Sequence, residues 1–338
     1  MTFPKIILFG TIALFSIIGI VGLGKKMSSK EPGESVSSAK IQTPAAQSPS
    51  ISRQETALEV EKIPAKLGKE VPKGPIDDFP NIDRTFQLFT TGPTKLPIVE
   101  TVTYSTTVPW LKGRPAWLAD YATHYATSRH FIARSLNGKP DYFTQKISPG
   151  SAFNVFRKDK RIQFYLLVDL TRCKMGFYYV DLDTKERLLL KTYSVGVGKS
   201  DPKSSSGSLT PLGVYSLGSK IAIYSPGITG IAREQKVEMI TLFGTRWIPF
   251  HEAIEGSAAL TKGYGIHGAP WIYPTPTNSP VENTSAIGKH ESDGSILLSH
   301  EDMEELFSIV ITKPTFVVIV KDFHEARMPG IEVATPTR

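Results

Sequence analysis

The chain has 338 residues, of which 40% are hydrophobic, and its formal net charge is +7 at neutral pH. That length accommodates one sizeable domain with additional segments, and the apolar content is ordinary for a globular protein. The basic balance favours anionic partners such as nucleic acid, phospholipid headgroups or a carboxylate-rich polymer, although a solvated basic surface without a partner has the same totals, and the single cysteine excludes an intramolecular disulfide.

An uncharged, mostly apolar run from Ile6 to Gly24 is the first feature along the chain. A helix of this length spans a hydrocarbon core of about 30 Å. Lysines flank the run on both sides and therefore give little guidance on its orientation. The run is longer than the apolar core of a usual signal peptide and no A-x-A cleavage site follows it, which favours an uncleaved signal anchor over a cleaved signal peptide. A buried helix of a soluble protein is a third interpretation, but such a helix usually has polar positions. We assign residues 1–26 to this membrane anchor or signal segment.

Residues 27–78 form the next segment and consist mainly of Ser, Pro, Ala, Gln, Lys and Glu. A segment with so few aromatic residues cannot bury enough apolar area to offset the entropy cost of ordering the chain. We therefore predict a disordered, flexible tether between the membrane segment and the folded part.

Residues 79–160 are predicted to form an accessory N-terminal region, because aromatic residues return from Phe79 onwards. The stretch "RPAWLADYATHYATSRHF" predicts one short helix with Pro115 in its first turn. Its apolar face is predicted to pack on the main domain and comprises Trp117, Leu118, Tyr121 and Tyr125.

Strands dominate from residue 161 onwards. Within the first of them the apolar residues alternate with their neighbours, the period of two that is typical of strands: Phe164, Leu166, Val168 and Leu170. Further strands are predicted at Gly244–Phe250, Gly263–Gly268 and Thr315–Val320. Cys173 lies in a predicted hairpin turn, where it is either a structural, partly exposed thiol or a nucleophile.

One helix is predicted among these strands, with Ser299 as its cap and Asp302 three residues later. Its buried stripe comprises Met303, Leu306, Phe307 and Val310. The patterns together predict a mainly β fold of mostly antiparallel strands with one main helix, plus a small helical N-terminal extension. The main domain is expected to span residues 161–322, with a C-terminal tail at 323–338.

Four sequence pieces resemble, in this order, the L,D-transpeptidase family, whose catalytic domain is of the YkuD type. They lie between Gln163 and Val320 and read "LLVDLTRCKMGFYYVDLDTKERLLLKTYSVGVGK", "TPLGVY", "GIHGAPW" and "SAIGKHESDGSILLSHEDMEELFSIV". The resemblance implies a β-sandwich that faces the periplasm or the cell exterior, a peptidoglycan substrate, and no metal or organic cofactor. In that family a cysteine thiolate attacks the carbonyl of the third residue of a stem tetrapeptide, the terminal D-alanine leaves, and an amine then attacks the thioester.

The resemblance assigns the catalytic base to His267 and the nucleophile to Ser295, which stands where the family has cysteine. Gly268, Ser292 and Gly294 are assigned to substrate or oxyanion contacts. A serine hydroxyl is not ionised near neutral pH, so it needs a base during attack, and a histidine can supply one. The alternatives are that Ser295 is a small polar turn residue and that His267 hydrogen-bonds a loop.

Two further departures from the family motif bear on the chemistry. Leu297 stands where the family has Arg or Asn, and Asp293 stands where it often has His or Lys. Asp293 would oppose a developing oxyanion if it points inward, whereas it is an ordinary loop residue if it points outward. His290 and His300 flank the loop, but their spacing fits no standard zinc pattern, so we predict no metal site.

These observations predict an enzyme of peptidoglycan remodelling that performs L,D-transpeptidase-type acyl transfer between stem peptides and thereby contributes to cell-wall organisation and cell shape. The alternative is a catalytically inactive YkuD-like module that binds stem peptides and acts as a scaffold. The expected partners are peptidoglycan stem peptides, the membrane, and divisome or cell-wall proteins, with no nucleic acid. The expected location is the inner (cytoplasmic) membrane with a periplasmic catalytic domain, or the periplasm or exterior after signal cleavage.

Overall fold

The computed structural model describes residues 78–139, 146–232, 234–255, 261–275 and 279–333. The predicted membrane segment and all but the last residue of the predicted tether lie outside these residues, so both stay predictions. Within the described ranges no helix combines the length and the apolar character needed to cross a membrane.

The helices of the described residues are α1 Phe86–Phe89, α2 Leu118–His124, α3 Arg129–Asn137, α4 Ile240–Phe243 and α5 His300–Val310, with a 3₁₀ helix at Phe323–Glu325. The strands are β1 Val99–Thr103, β2 Ala152–Phe156, β3 Ile162–Asp169, β4 Lys174–Asp181, β5 Glu186–Ser194, β6 Val197–Gly198, β7 Gly213–Leu217, β8 Ala222–Ile223, β9 Thr229–Ala232, β10 Gln235–Glu238, β11 Arg246–Glu255, β12 Gly265–Gly268, β13 Trp271–Ile272, β14 Val281–Glu282, β15 His290–Ser292, β16 Ile296–Leu298, β17 Thr315–Val320 and β18 Ile331–Glu332.

One large mixed sheet organises the main domain. Its strands run in the order β16-β12-β11-β7-β17-β3-β4-β5-β18, with β8 paired beside β11. Most pairings are antiparallel, whereas β12–β16, β17–β3, β5–β18 and the separate pair β6–β15 are parallel. The predicted mainly β fold with mostly antiparallel strands and one main helix is therefore confirmed.

The main core contains the alternating apolar residues of β3 together with the apolar stripe of helix α5. Phe164, Leu166 and Val168 are fully buried, as the period of two predicts. Met303, Leu306 and Phe307 of α5 are equally buried and belong to the same cluster. Burial of each such side chain stabilises the fold by about 1.5–3 kcal/mol, so this contact fixes α5 against the sheet.

Helix α5 begins as the sequence predicts. The Ser299 hydroxyl accepts a hydrogen bond from the Asp302 N–H at 3.2 Å and donates one to the Asp302 carboxylate at 2.8 Å. The cap satisfies a backbone donor that the first turn leaves without an intrahelical partner. Because Ser299 directly follows β16, the cap also fixes where that strand ends.

The helical part of the accessory region differs from the single helix predicted at residues 114–131. Two helices, α2 and α3, replace it, because the Ser128 hydroxyl accepts from the Phe131 N–H at 2.9 Å and starts a new helix. Trp117 precedes α2 and its side chain is 68% exposed, so the prediction that it belongs to the buried face is wrong. Tyr121 does face inward and is buried.

The accessory region shares the core of the large sheet. Leu88, Phe131 and Phe156 lie in the same buried cluster as Phe164 and Phe307. The Ser128 hydroxyl also donates to the Ser308 carbonyl, which ties α3 to α5.

A charged cluster adds a second connection between the accessory region and the sheet. Lys191 of β5 lies 2.9 Å from Glu305, 3.0 Å from Asp302 and 3.5 Å from Asp83. Burial opposes the positive charge, but the neighbouring Glu305 and Asp302 outweigh it and raise the pKa of Lys191. The ammonium therefore joins residues before β1 to both β5 and α5.

Cys173 occupies the turn between β3 and β4, as predicted, but its thiol is buried rather than partly exposed. Its backbone φ is +50°, and the side chain packs within the main core. Burial raises the pKa of the thiol, with a smaller contribution from Asp169. These features do not favour a nucleophile.

The segment predicted as a C-terminal tail contributes the 3₁₀ helix and strand β18 within the described residues. Ile331 and Glu332 pair in parallel with Glu186 and Arg187 of β5. The Arg187 guanidinium donates to the Met328 and Pro329 carbonyls at 3.1 and 2.9 Å. This part of the segment therefore extends the edge of the sheet.

Candidate active site

The candidate site lies on one face of the three strands at the end of the sheet. Trp247 of β11, His267 of β12 and Leu297 of β16 form a row of cross-strand neighbours. The adjacent row is Ile248, Ile266 and Ile296, whose side chains point into the core. Because side chains alternate along a strand, the row with His267 lies on the opposite face.

The His267 ring is held in one orientation by its own backbone neighbour and by aromatic rings. Its Nδ1 lies 2.8 Å from the Gly268 carbonyl oxygen. Phe243 and Trp247 contact the ring at centroid distances of 5.4 and 5.6 Å. A carbonyl oxygen can only accept, so Nδ1 carries the proton and Nε2 keeps its lone pair.

Burial makes this imidazole neutral over the physiological range. Burial lowers the pKa of His267 to about 4, and the hydrogen bond to the Gly268 carbonyl offsets only part of that change. A neutral ring with a free Nε2 is a proton acceptor, which is the state that a general base requires.

Ser295 precedes β16 directly, on the strand beside His267. Continuing the alternation of β16 by one residue puts the Ser295 side chain on the same face as Leu297 and His267. The register is offset by two residues, which corresponds to about 8 Å between the Cα atoms of Ser295 and His267. The Ser295 side chain is half-buried, and no described residue forms a hydrogen bond with its hydroxyl.

The loop before Ser295 is shaped by Ser292. Its buried hydroxyl accepts from the Gly294 N–H at 3.0 Å and donates to the Ser295 carbonyl at 2.7 Å. Both hydrogen-bonding functions of Ser292 and the N–H of Gly294 are thus used inside the loop. Among the described residues nothing accepts from the Ser295 N–H, which leaves this group as the loop donor that can meet an oxyanion.

Gly294 has a backbone conformation that favours glycine, with φ of +115°. A Cβ at this position would lie 2.2 Å from the Tyr264 ring and 2.9 Å from the Leu209 carbonyl oxygen. The motif glycine is therefore required both by its φ angle and by the ring that packs under the loop.

Thr210 braces the same loop from the other side. Its fully buried hydroxyl accepts from the Gly198 N–H at 2.7 Å and donates to the Gly294 carbonyl at 2.9 Å. The "VGVGK" and "TPLGVY" pieces therefore meet at the loop that carries Ser295. Gly198 also pairs with Ser292 through β6 and β15.

Thr210→Val is expected to destabilise the protein by about 2–3 kcal/mol, because it leaves a buried N–H and a buried carbonyl without partners. Thr210→Ser is the matched control, since it keeps the hydroxyl and loses one methyl group, at a cost of about 1 kcal/mol. Urea denaturation of the two variants measures the difference. Equal stabilities of Val and Ser variants would show that the hydroxyl does not hold the loop.

Asp293 points outward. Its side chain is 66% exposed and lies 3.0 Å from the Lys199 ammonium. Of the two orientations considered from the sequence, this is the one in which the carboxylate does not oppose an oxyanion. The pair is exposed, so its contribution to stability is small.

Leu297 places an apolar side chain beside His267 where the family motif has Arg or Asn. Leu297 is 5% exposed, and its N–H and carbonyl both pair with Gly196 at 2.9 Å. The row therefore presents an aromatic ring, an imidazole and an isobutyl group, with no positive charge among them.

Sequence reasoning missed the residues that support His267 and the loop. Thr210 stands in a motif that was recognised, but nothing in a single sequence indicates that its hydroxyl spans two backbone segments. Phe243 belongs to the four-residue helix α4, which is too short to give a periodic signal. Trp247 is the exception, because the predicted strand Gly244–Phe250 contains it and only its register was unknown.

The two flanking histidines have other contacts. His290 Nδ1 lies 3.3 Å from the Gly198 carbonyl, and His300 Nδ1 lies 3.1 Å from the Thr245 hydroxyl. In the described ranges no three His, Cys, Asp or Glu side chains are grouped as metal ligands. The long connection after His267 carries the β13–β14 hairpin, and Trp271 of this hairpin packs edge-on against the His300 ring.

Residues 163–319 match the family model of the L,D-transpeptidase catalytic domain, YkuD. The matched range is just under half of the chain, begins in β3 and ends in β17. It includes the five predicted site residues His267, Gly268, Ser292, Gly294 and Ser295. This part of the chain therefore has an L,D-transpeptidase-like fold. No curated protein matches the chain.

Two solved structures are similar to part of the chain. Bd1075 of Bdellovibrio bacteriovorus is 15% identical with a TM-score of 0.31, over 47% of this chain and 48% of that one. The helical cell shape determining protein Pgp2 of Campylobacter jejuni is 18% identical with a TM-score of 0.31, over 48% of this chain and 49% of that one. The chain thus spans about half the length of these solved chains.

Proposed function

We propose that the domain acts on peptidoglycan stem peptides by L,D-transpeptidase-type acyl transfer, with Ser295 as the nucleophile and His267 as the general base. One observation carries this proposal. The imidazole is neutral, its Nδ1–H is fixed on the Gly268 carbonyl, and its free Nε2 lies on the same sheet face as a hydroxyl without a partner among the described residues. Catalytic hydrogen bonds are often long or absent before substrate binds, so the lack of a direct bond is compatible with this role.

The first half of the reaction forms an ester. His267 Nε2 accepts the Ser295 hydroxyl proton while Oγ attacks the carbonyl carbon of the third stem residue, and the Ser295 N–H donates to the resulting oxyanion. The intermediate collapses with cleavage of the peptide C–N bond. The terminal D-alanine leaves as an amine after taking the proton from the imidazolium.

The second half transfers the acyl group. An amine of a neighbouring stem attacks the ester carbon and gives its proton to His267, the bond to Oγ breaks, and Ser295 regains a proton. An ester is less reactive towards an amine than the family's thioester. Water in place of the amine would give hydrolysis by the same steps.

A second candidate function is a catalytically inactive module that binds stem peptides and acts as a scaffold. Two observations favour it: the Ser295 hydroxyl makes no hydrogen bond to His267, and Leu297 supplies no positive charge beside the imidazole. In this case the site would bind the peptide while forming no covalent bond.

Incubation of the full-length protein with tetrapeptide muropeptides is expected to give an acyl-enzyme on Ser295. Intact-mass spectrometry detects the adduct as a gain equal to the mass of the muropeptide minus that of D-alanine, and peptide mapping places it on the serine. Ser295→Ala is expected to remove the adduct, since no other hydroxyl is assigned to the reaction. Binding of the muropeptide without any adduct, with affinity unchanged in Ser295→Ala, would instead support the scaffold function.

Ser295→Cys completes this experiment. A thiol in an intact pocket is expected to form a thioester with the same muropeptide, because thiols are intrinsically stronger nucleophiles. If the unaltered protein forms no adduct but Ser295→Cys does, the site still binds the peptide and only the nucleophile has been lost.

A further inference from the structure

A cavity of about 400 Å³ lies between α1, the end of α3 and helix α5. The lining residues that bear on its chemistry are Asp83, Thr85, Phe86, Phe89, Arg134 and Glu305. Helix α5 packs on the core side of β11 and β12, whereas His267 lies on the opposite face. The cavity is therefore separate from the candidate active site.

Arg134 is the one arginine of this region whose guanidinium has no partner among the described residues. Its side chain is half-buried, and its Nε is buried without a hydrogen bond. Burial lowers the pKa of this guanidinium, and the carboxylates of Glu305 and Glu304 offset only part of that change. Arg246 also has a buried Nε, but its Nη2 lies 2.8 Å from Glu304. Because Arg134 is partly removed from water and makes no hydrogen bond to a carboxylate of the described residues, its positive charge favours binding of an anion.

The carboxylates around Arg134 already accept hydrogen bonds from other side chains. Glu305 accepts from Lys191 at 2.9 Å, from Thr85 at 2.9 Å and from Tyr193 at 3.2 Å. Glu304 binds Arg246 and accepts from the Thr245 hydroxyl at 2.6 Å. Asp83 accepts from the Thr85 hydroxyl at 2.9 Å and lies 3.5 Å from the Lys191 ammonium. Turning any of these carboxylates towards Arg134 would break its present contacts, so the charge of Arg134 is open to a ligand.

The chemistry of the lining selects the kind of anion. A carboxylate matches the planar guanidinium with two parallel hydrogen bonds. A phosphate dianion would be repelled more strongly, because Glu301, Glu304 and Glu305 all act on Arg134 electrostatically. Phe86, which is 48% exposed, and Phe89 provide an apolar wall for a small side chain beside that carboxylate.

We propose that this cavity is a second binding site, which takes a small carboxylate ligand on Arg134 with its apolar part against Phe86 and Phe89. The ligand is either a free amino acid or the end of a short peptide. The choice of D-alanine and stem peptide as probes rests on the proposed function, whereas the carboxylate chemistry does not.

Calorimetric titration of the full-length protein tests the site with four probes: D-alanine, D-alaninamide, a stem tetrapeptide and its C-terminal amide. All titrations use the Ser295→Ala background, which prevents acylation. We expect saturable binding of D-alanine or of the tetrapeptide, and at least tenfold weaker binding of the corresponding amide, because a charge-assisted pair is lost. Preference for one acid over the other identifies the source of the carboxylate.

Arg134→Met is expected to weaken the preferred probe by about tenfold to a hundredfold, whereas Arg129→Met on the same helix leaves its affinity unchanged. Without ligand, Arg134→Met is expected to raise the melting temperature, because it removes an uncompensated charge. A structural arginine would give the opposite sign.

Three results would overturn the proposal: no saturation by any probe up to about 10 mM, equal affinities of acid and amide, or a lower melting temperature of ligand-free Arg134→Met. Tight binding of inorganic phosphate with no carboxylate preference would also contradict it. A missing adduct on Ser295 would not affect these outcomes, so the two proposals fail separately.

Discussion

Replacement of His267 by glutamine is expected to slow acylation of Ser295 by about 10²- to 10⁴-fold, the usual contribution of a positioned general base. Glutamine has a similar size but cannot take the hydroxyl proton, whereas the Gly268 carbonyl can still accept a hydrogen bond from its amide. The time course of adduct formation measured by intact-mass spectrometry gives the rate. His324→Gln is the control, because His324 lies in the 3₁₀ helix and pairs with Asp322 at 2.6 Å, outside the site.

The pH dependence of acylation by the unaltered protein tests the protonation state of His267. Because burial lowers its pKa to about 4, the base is neutral above that value, and the acylation rate should not change between pH 5 and 8 and should fall only as the pH approaches 4. A rate that halves near pH 6.5 would indicate an imidazole with an ordinary pKa and would contradict the buried base.

The lowered pKa also predicts a pH dependence of stability. The unfolded chain binds a proton on this imidazole below its ordinary pKa, whereas the folded chain does so only near pH 4. The stability that neutral His267 contributes is therefore fully present above the ordinary value and is lost as the pH falls from there to about 4. His267→Gln should flatten the stability profile in that window.

Gly294→Ala is expected to destabilise the protein by about 2–5 kcal/mol, since it combines backbone strain with overpacking. Its Cβ would overlap the Tyr264 ring at 2.2 Å and would also lie 2.9 Å from the Leu209 carbonyl oxygen. Because the displaced loop carries Ser295, adduct formation should fall together with stability. Urea denaturation and the adduct assay measure the two effects on one preparation.

Gly288→Ala separates strain from steric overlap. Gly288 also has a positive φ, +77°, but a Cβ there would meet nothing within 4 Å. Its cost should be about 1 kcal/mol, and the excess in Gly294→Ala then measures the overlap. Removing the ring in the double variant Tyr264→Ala/Gly294→Ala should recover part of that excess. Equal costs at the two glycines would contradict the role of Tyr264.

Much of the fold follows from patterns that act locally. The alternation in β3 predicts which side chains enter the core, and Ser299 predicts where α5 begins, because both depend on a few neighbouring residues. Helix α3 was missed although Ser128 and Gly138 cap it, since its apolar residues extend beyond the segment that was considered. The burial of Cys173 could not be predicted, because the direction of its side chain depends on a positive φ in the turn.

At the candidate site, too, local motifs are predictable from the sequence, whereas contacts between distant residues are not. The resemblance indicated His267 and Ser295 from short motifs, and the pairing of β12 with β16 brings them to one face. The outward orientation of Asp293 depends on Lys199, which is distant in sequence and becomes its neighbour only in the folded chain. The use of the Gly294 N–H by Ser292 likewise depends on the conformation of the loop. Motifs thus predict which side chains lie at the candidate site, whereas the hydrogen bonds of those side chains require coordinates.

The core shared by Leu88, Phe131 and Phe156 with Phe164 and Phe307 has a consequence for the limits of the folding unit. A fragment of residues 163–319 would retain the recognisable motifs. It would expose the apolar core residues that the preceding helices and strands cover. The segment before residue 163 and the matched segment should therefore melt in one transition, so the evolutionary boundary marked by the family match is not a thermodynamic boundary.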